Sequence, residues 1–224
     1  TELITDFVID ATGLEGDLRD LPRAPVWTPG DPIKEIPRRF FPRPGQVPEG
    51  TPPANPTGLL RDPLLDLQAS APLSPLSRAF STPGLNIAGQ GFSGVNPPDT
   101  VGDVGVNFYI QMINSGAGTA VTIYNKTNGS VAAGPFSLDS LGSGLCANGL
   151  GDPIVLYDHL AGRWLLSEFS SSGNRLCVYI SQTGDPVSGG WFNYDFQAPN
   201  FPDYPKYAVW SDAYYVGTNE GTGP

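Results

Sequence analysis

Three stretches of this 224-residue chain open on an aspartate: "GDVGVNFYIQMIN" (102 to 114), "GDPIVLYDHLAGRWLLSEF" (151 to 169) and "PDYPKYAVWSDAYYVGTNE" (202 to 220). Asp103, Asp152 and Asp203 recur at spacings of 49 and 51 residues. Carboxylates repeated at one position of a structural repeat converge, and like charges held together raise one another's pKa or demand a cation. Calcium is the natural candidate, since it takes roughly six to eight oxygens from carboxylates, carbonyls and water. Asp99 stands four residues before Asp103 in the same Gly-rich loop and adds a fourth metal candidate. The plainer reading is that each Asp caps its own turn by accepting a backbone N–H. Paired carboxylates can also cleave a sugar when they face each other about 5 Å apart or more. Glu168, Asp152 and Asp203 are the groups available for that, and Trp164, Glu168, Asn219 and Glu220 are candidate ligand contacts. His159 is the lone histidine, and neither a Ser/His/Asp arrangement nor a Cys/His zinc spacing nor a phosphate-binding glycine loop is present.

The elements that must position these residues are short strands. From about residue 91 the runs 107–114, 120–126, 153–158, 163–170, 175–182, 191–196, 206–212 and 213–219 are rich in aromatic and β-branched residues. Gly, Asp, Asn, Ser or Pro separate nearly all of them. No window supports a long amphipathic helix, so the body is all-β. A period near 50 with four short strands per period is the signature of a four-stranded β-propeller blade. The middle unit reads as a full blade, the first lacks a clear opening strand, and the third supplies two strands. Residues 91–224 therefore read as about two and a half blades of an incomplete propeller. The rest of a longer chain, or neighbouring copies, would complete it.

Residues 1–90 differ in texture. They hold 15 of the 24 prolines and eight of the twelve Lys and Arg. Proline this dense removes amide donors and fixes φ, so an extended Pro-rich N-terminal arm is expected. Phe40, Phe41, Leu59 and Leu60 are its expected anchors on the body, and a plain linker is the alternative. The net charge of −10 argues against nucleic acid. No run of 18 apolar residues spans a bilayer. Cys146 and Cys177 are expected to pair, which suits an oxidising compartment.

The runs "NPPDTVGDVGVNFYIQMIN" (96 to 114), "GDPIVLYDHLAGRWLLSEF" and "DYPKYAVWSDAYYVGTNE" together resemble a family of large secreted bacterial proteins with sialidase-like β-propeller domains behind a Pro-rich leader. The resemblance covers residues 91–220 and implies a propeller and secretion. The turn "SQTGDPVSGGW" (181 to 191) resembles a degenerate Asp-box, with Asp185 and Trp191 in the matching places. A sialidase needs an arginine triad, and this body holds only Arg163 and Arg175. The expectation is a secreted or cell-surface binding and structural protein, calcium-stabilised, that meets an extracellular glycan or protein. The alternative is a polysaccharide-active enzyme, a glycoside hydrolase or lyase, working from the same rim.

Overall fold

The computed structural model describes residues 12–36 and 84–219. Among them there is no α-helix. Thirteen strands form: β1 (Thr12–Leu14), β2 (Lys34–Glu35), β3 (Val95–Asn96), β4 (Val101–Val104), β5 (Phe108–Ser115), β6 (Gly118–Asn125) and β7 (Val131–Ser137) come first. β8 (Gly149–Asp158), β9 (Arg163–Ser170), β10 (Arg175–Ser181), β11 (Trp191–Gln197), β12 (Asp203–Val209) and β13 (Tyr214–Asn219) follow. Residues 12–36 and 85–219 belong to one compact unit. The expected anchors Phe40, Phe41, Leu59 and Leu60 lie outside the described residues, as does Glu220.

Consecutive strands pair by short turns into antiparallel sheets. The first sheet runs β4-β5-β6-β7, the second β8-β9-β10-β11, and β12 with β13 forms a hairpin of its own. β4 is the opening strand that the sequence left unclear. Its four residues include Gly102 and Asp103, so neither β-propensity nor alternation marks it.

The sheets pack face to face. Ile110 and Met112 of β5, Val121 and Ile123 of β6, and Val155, Tyr157, Trp164, Leu166 and Tyr179 of the second sheet form one apolar core. The opposite face of the second sheet presents Leu165, Phe169, Val178 and Ile180, and Tyr207 of β12 packs on them. Alternation at period 2 therefore buries both faces of the second sheet, as its continuous apolar runs require. The aromatics divide. Trp164 and Trp191 are buried, whereas Trp210 is 70% and Tyr215 51% exposed. They belong to the β12–β13 hairpin and its turn, and nothing among the described residues covers them.

The described part of the N-terminal segment is strapped along the sheet edges. β1 pairs antiparallel with β11, the outer strand of the second sheet. Leu18, 1% exposed, enters the main core, and its N–H donates to Val187 O at 2.9 Å. Arg23 bridges Phe136 of β7, the outer strand of the first sheet, and β2 pairs parallel with β3. Free sheet edges invite stray pairing, and a strap that satisfies their N–H and C=O groups blocks it. The 181–191 turn that receives Leu18 behaves as a turn-stabilising element. Asp185 accepts from Val187 N at 2.8 Å and from Ser188 Oγ at 2.7 Å, and Trp191 Nε1 donates to Pro186 O at 3.0 Å.

Cys146, in the 3-10 turn Gly144–Ala147 after β7, is disulfide-bonded to Cys177 of β10 across a separation of 31 residues. The expected pair is present. Two outcomes are expected here. Replacing both cysteines with serine should cost about 3–4 kcal/mol in denaturant unfolding, from the loop-closure entropy of a ring this size. Leu18→Ala should cost about 2–5 kcal/mol, as for a filled core position. An unchanged midpoint for Leu18→Ala would show that the strap contributes nothing to the body.

Candidate functional site

A pocket of about 280 Å³ lies where three strand starts meet. Each contributes three consecutive residues: Asp99, Thr100 and Val101 before and into β4; Asp152, Pro153 and Ile154 of β8; Tyr204, Pro205 and Lys206 of β12. The pairing register shows why these triplets correspond. Val101 faces Met112, Ile154 faces Ser167 and Lys206 faces Gly217, and each is the residue from which regular hairpin pairing runs to the turn. Two positions earlier stand Asp99, Asp152 and Tyr204, with φ of 38°, 54° and 56°. The left-handed region is uncommon for residues with a side chain, most of all for a tyrosine. Three of the four non-glycine residues with positive φ among the described residues therefore rim one pocket. The equivalent position is held by Asp99, Asp152 and Tyr204, in place of Asp103, Asp152 and Asp203.

One side chain ties this mouth together. Asn114, at the far end of β5, is fully buried. Its Oδ1 accepts the Asp152 N–H at 2.7 Å. Its Nδ2 donates to Pro97 O and Asp99 Oδ2, both at 3.0 Å, and to Asp152 Oδ1 at 3.3 Å. Two N–H bonds serve three acceptors, so one of them is shared. Gly151, with φ of 104°, lets the β8 backbone come this close, because a Cβ there would stand 2.4 Å from Asn114 Oδ1.

The electrostatics follow from that geometry. Burial raises the Asp152 carboxyl to about 6, and a hydrogen bond with Asp99 together with the charges of Asp99 and Asp203 pushes the same way. The Asn114 amide pulls it down. Across the pocket the Lys206 ammonium lies 4.4 Å from the centre of the Tyr204 ring, a cation–π contact.

The remaining sequence candidates fall elsewhere. Asp103 turns away from the pocket mouth: its Oδ1 accepts Val104 N and its Oδ2 accepts Tyr157 N, both at 2.7 Å, which bolts β4 to β8. Trp164 is fully buried against Tyr157, 4.8 Å between ring centres, and offers a ligand no surface. Glu168 is 1% exposed and sits between the sheets. Asn219 is exposed at the end of β13, opposite Asp203 in register. Among the described residues no three acidic, histidine or cysteine side chains gather as a metal-holding group. Asn114, Tyr204 and Lys206 were not singled out from the sequence. A signal did exist for two of them: in "PDYPKY" the residues after the aspartate occupy the same triplet as "DTV" and "DPI".

Asp103→Ala should leave the Tyr157 N–H without its acceptor and cost about 1–3 kcal/mol of stability. The Asp152 carboxyl, followed by NMR, should keep its raised pKa in that variant. A fall of that pKa to the ordinary carboxylate range would show that Asp103 belongs to the pocket after all. No family model, curated protein or solved structure matches this chain.

Proposed function

We propose that this chain is part of a secreted or cell-surface β-propeller, and that it binds an extracellular glycan or protein through the pocket at the strand starts. Successive sheets stacked face to face, each opening on an equivalent triplet, are what propeller blades present at the axial channel. The β12–β13 hairpin holds the inner half of a third blade in this reading. Its outer edge and exposed aromatics await further strands, from the rest of a longer chain or from neighbouring copies. The disulfide suits an oxidising compartment. Among the described residues no helix is long and apolar enough to cross a membrane.

The observation that carries the reading is the meeting of Asp99, Asp152 and Tyr204 at one mouth, each in the left-handed region. Backbone held in a sparsely populated conformation concentrates at ligand sites. The mouth pairs an aromatic face and an ammonium on one side with two carboxylates on the other. That mixture suits hydroxyl-rich or mixed-charge ligands better than a purely apolar one.

Calcium fits the carboxylate side. Asp99 and Asp152 are close enough to hydrogen-bond, Asp203 adds charge, and among the described residues no Lys or Arg is ion-paired with them. Calcium would draw the two carboxylates and neighbouring backbone oxygens into one coordination sphere. The enzymatic alternative draws on one fact: a carboxyl raised to about 6 can act as a general acid near neutral pH. Its partner stands against it, since glycosidases hold their two carboxyl groups about 5 Å or more apart.

Calcium should raise the melting temperature, by about 2.7 kcal/mol of stabilisation at a hundredfold excess over Kd, and a chelator should reverse it. Asp152→Asn and Asp99→Asn should abolish that response with β content unchanged. A glycan array should return hits that weaken in Lys206→Ala, while a chromogenic glycoside panel stays silent. Turnover of any glycoside that is lost in Asp152→Asn would overturn the binding reading in favour of the enzyme.

A further inference from the structure

A second pair of carboxyl groups lies behind the pocket, at the junction of the two sheets. Glu168 of β9 is 1% exposed, and neither of its carboxyl oxygens has a hydrogen-bond partner. The polar groups that face it are the Asp139 carboxylate, the Thr119 side chain of β6 and the backbone of Gly151. Thr119 is fully buried, and its hydroxyl is also without a partner. Asp139, in the 3-10 turn Leu138–Leu141 that follows β7, is fixed in place: its Oδ1 accepts the Gly149 N–H at 2.6 Å. A Cβ on Gly149 would stand 2.2 Å from Glu168 Oε2 and 2.7 Å from Asp139 Oδ1. The two carboxyl groups therefore crowd one point of backbone, and only glycine leaves room for them.

Among the described residues no cation balances this pair. Among the described residues the ion pairs are Arg19–Asp17 and Arg175–Asp195, and neither includes Glu168 or Asp139. Keeping Glu168 charged inside the junction, beside a partly exposed Asp139, is far more costly than protonating it.

We propose that Glu168 and Asp139 share one proton across this junction, with Glu168 held as a neutral carboxylic acid whose O–H donates to the Asp139 carboxylate. The Thr119 hydroxyl faces the same carboxyl group from β6. Release of the proton to solvent leaves the Glu168 carboxylate, 1% exposed, beside the partly exposed Asp139. The sheets must part to hydrate Glu168, so the junction is a pH-sensitive joint.

Burial, followed by the Asp139 charge, holds the Glu168 carboxyl well above its ordinary range. An acid raised on folding stabilises the fold fully below its unfolded value, and that contribution is lost as pH climbs through the folded value. Other titratable groups bear on the same spot. Tyr179 of β10 is itself raised, by burial and then by the charges of Glu168, Asp139 and Asp195, and stays protonated throughout. Asp152, which follows Gly151, titrates near 6 in the same direction, so its share is subtracted in an Asp152→Asn background.

Infrared spectra of the full chain in heavy water near neutral pH should show the carbonyl stretch of a protonated carboxylic acid. Glu168→Gln should remove that band, while Asp152→Asn keeps it. In the Asp152→Asn background the melting temperature should fall as pH rises above neutral, and adding Glu168→Gln should flatten the profile. A missing band, or one that survives Glu168→Gln, overturns the proposal. So does one metal ion per chain that resists chelation and is lost in Glu168→Gln, because a cation then does the neutralising. Should Glu168→Gln not fold, Asp139→Asn serves instead: it should shift the band by replacing the charged acceptor with an amide. An unmoved band in that variant also refutes the shared proton.

Discussion

The burial of β8 on both faces is the constraint from which the other features follow. Its alternate residues Val155 and Tyr157 enter the core shared with the first sheet. Leu150 and Leu156 turn to the core on the far side, where Tyr207 of β12 packs. A strand committed on both faces cannot slip by one residue without turning every side chain to the wrong core. Its two ends are therefore fixed in space. At one end Asp152 meets Asn114 and the pocket. At the other Asp158 accepts the Tyr214 hydroxyl at 2.7 Å and the N–H groups of Leu160 and Ala161, which holds the β12–β13 hairpin to the second sheet.

The main strands of the body were legible because apolar runs between Gly, Asp and Pro turns carry a period of 2 that no helix would share. β9 runs from Arg163 to Ser170, as expected, and β10 and β11 lie within a residue of their expected bounds. β1, β2 and β3 were not legible. Strands of two or three residues show no periodicity, and their partners lie far away in sequence. The site was half legible. The repeat pointed to Asp152, and Asp99 entered only for its place four residues before Asp103; alignment on the "GD" dipeptide put Asp103 where Asp99 stands. The pairing register decides equivalence, and dipeptide identity does not: Val101 and Ile154 are matched by the strands opposite them. Asn114 was hidden for another reason. An asparagine closing an apolar run looks like a strand end, and only the approach of β8 makes it a hub.

Charge explains why the carboxylates come in pairs. From residue 91 onward four Lys and Arg face eleven Asp and Glu. Arg175 is paired with Asp195, Lys126 donates to Gly105 O, and Lys206 lies over Tyr204. Few cations remain for the interior, so acidic groups drawn inward must be satisfied by N–H donors, by a proton or by a metal. Asp103 and Asp158 take the first route and act as bolts between elements. Asp152 and Glu168 have too few donors for that, and burial raises both.

These two raised carboxyls are not independent features of the fold. Gly151 touches one and precedes the other, so the short segment Gly149–Asp152 carries the strained backbone of the pocket and the inner wall of the sheet junction together. Asn114 locks the pocket side of that segment and Asp139 the junction side. A ligand or cation that draws Asp152 outward must pull on Gly151, and so on the packing around Glu168. The pairing of this segment with β9 is irregular on both sides of Gly151, and regular register resumes only at Ile154. Its geometry is therefore set less by the ladder than by the two side chains that grip it, Asn114 and Asp139.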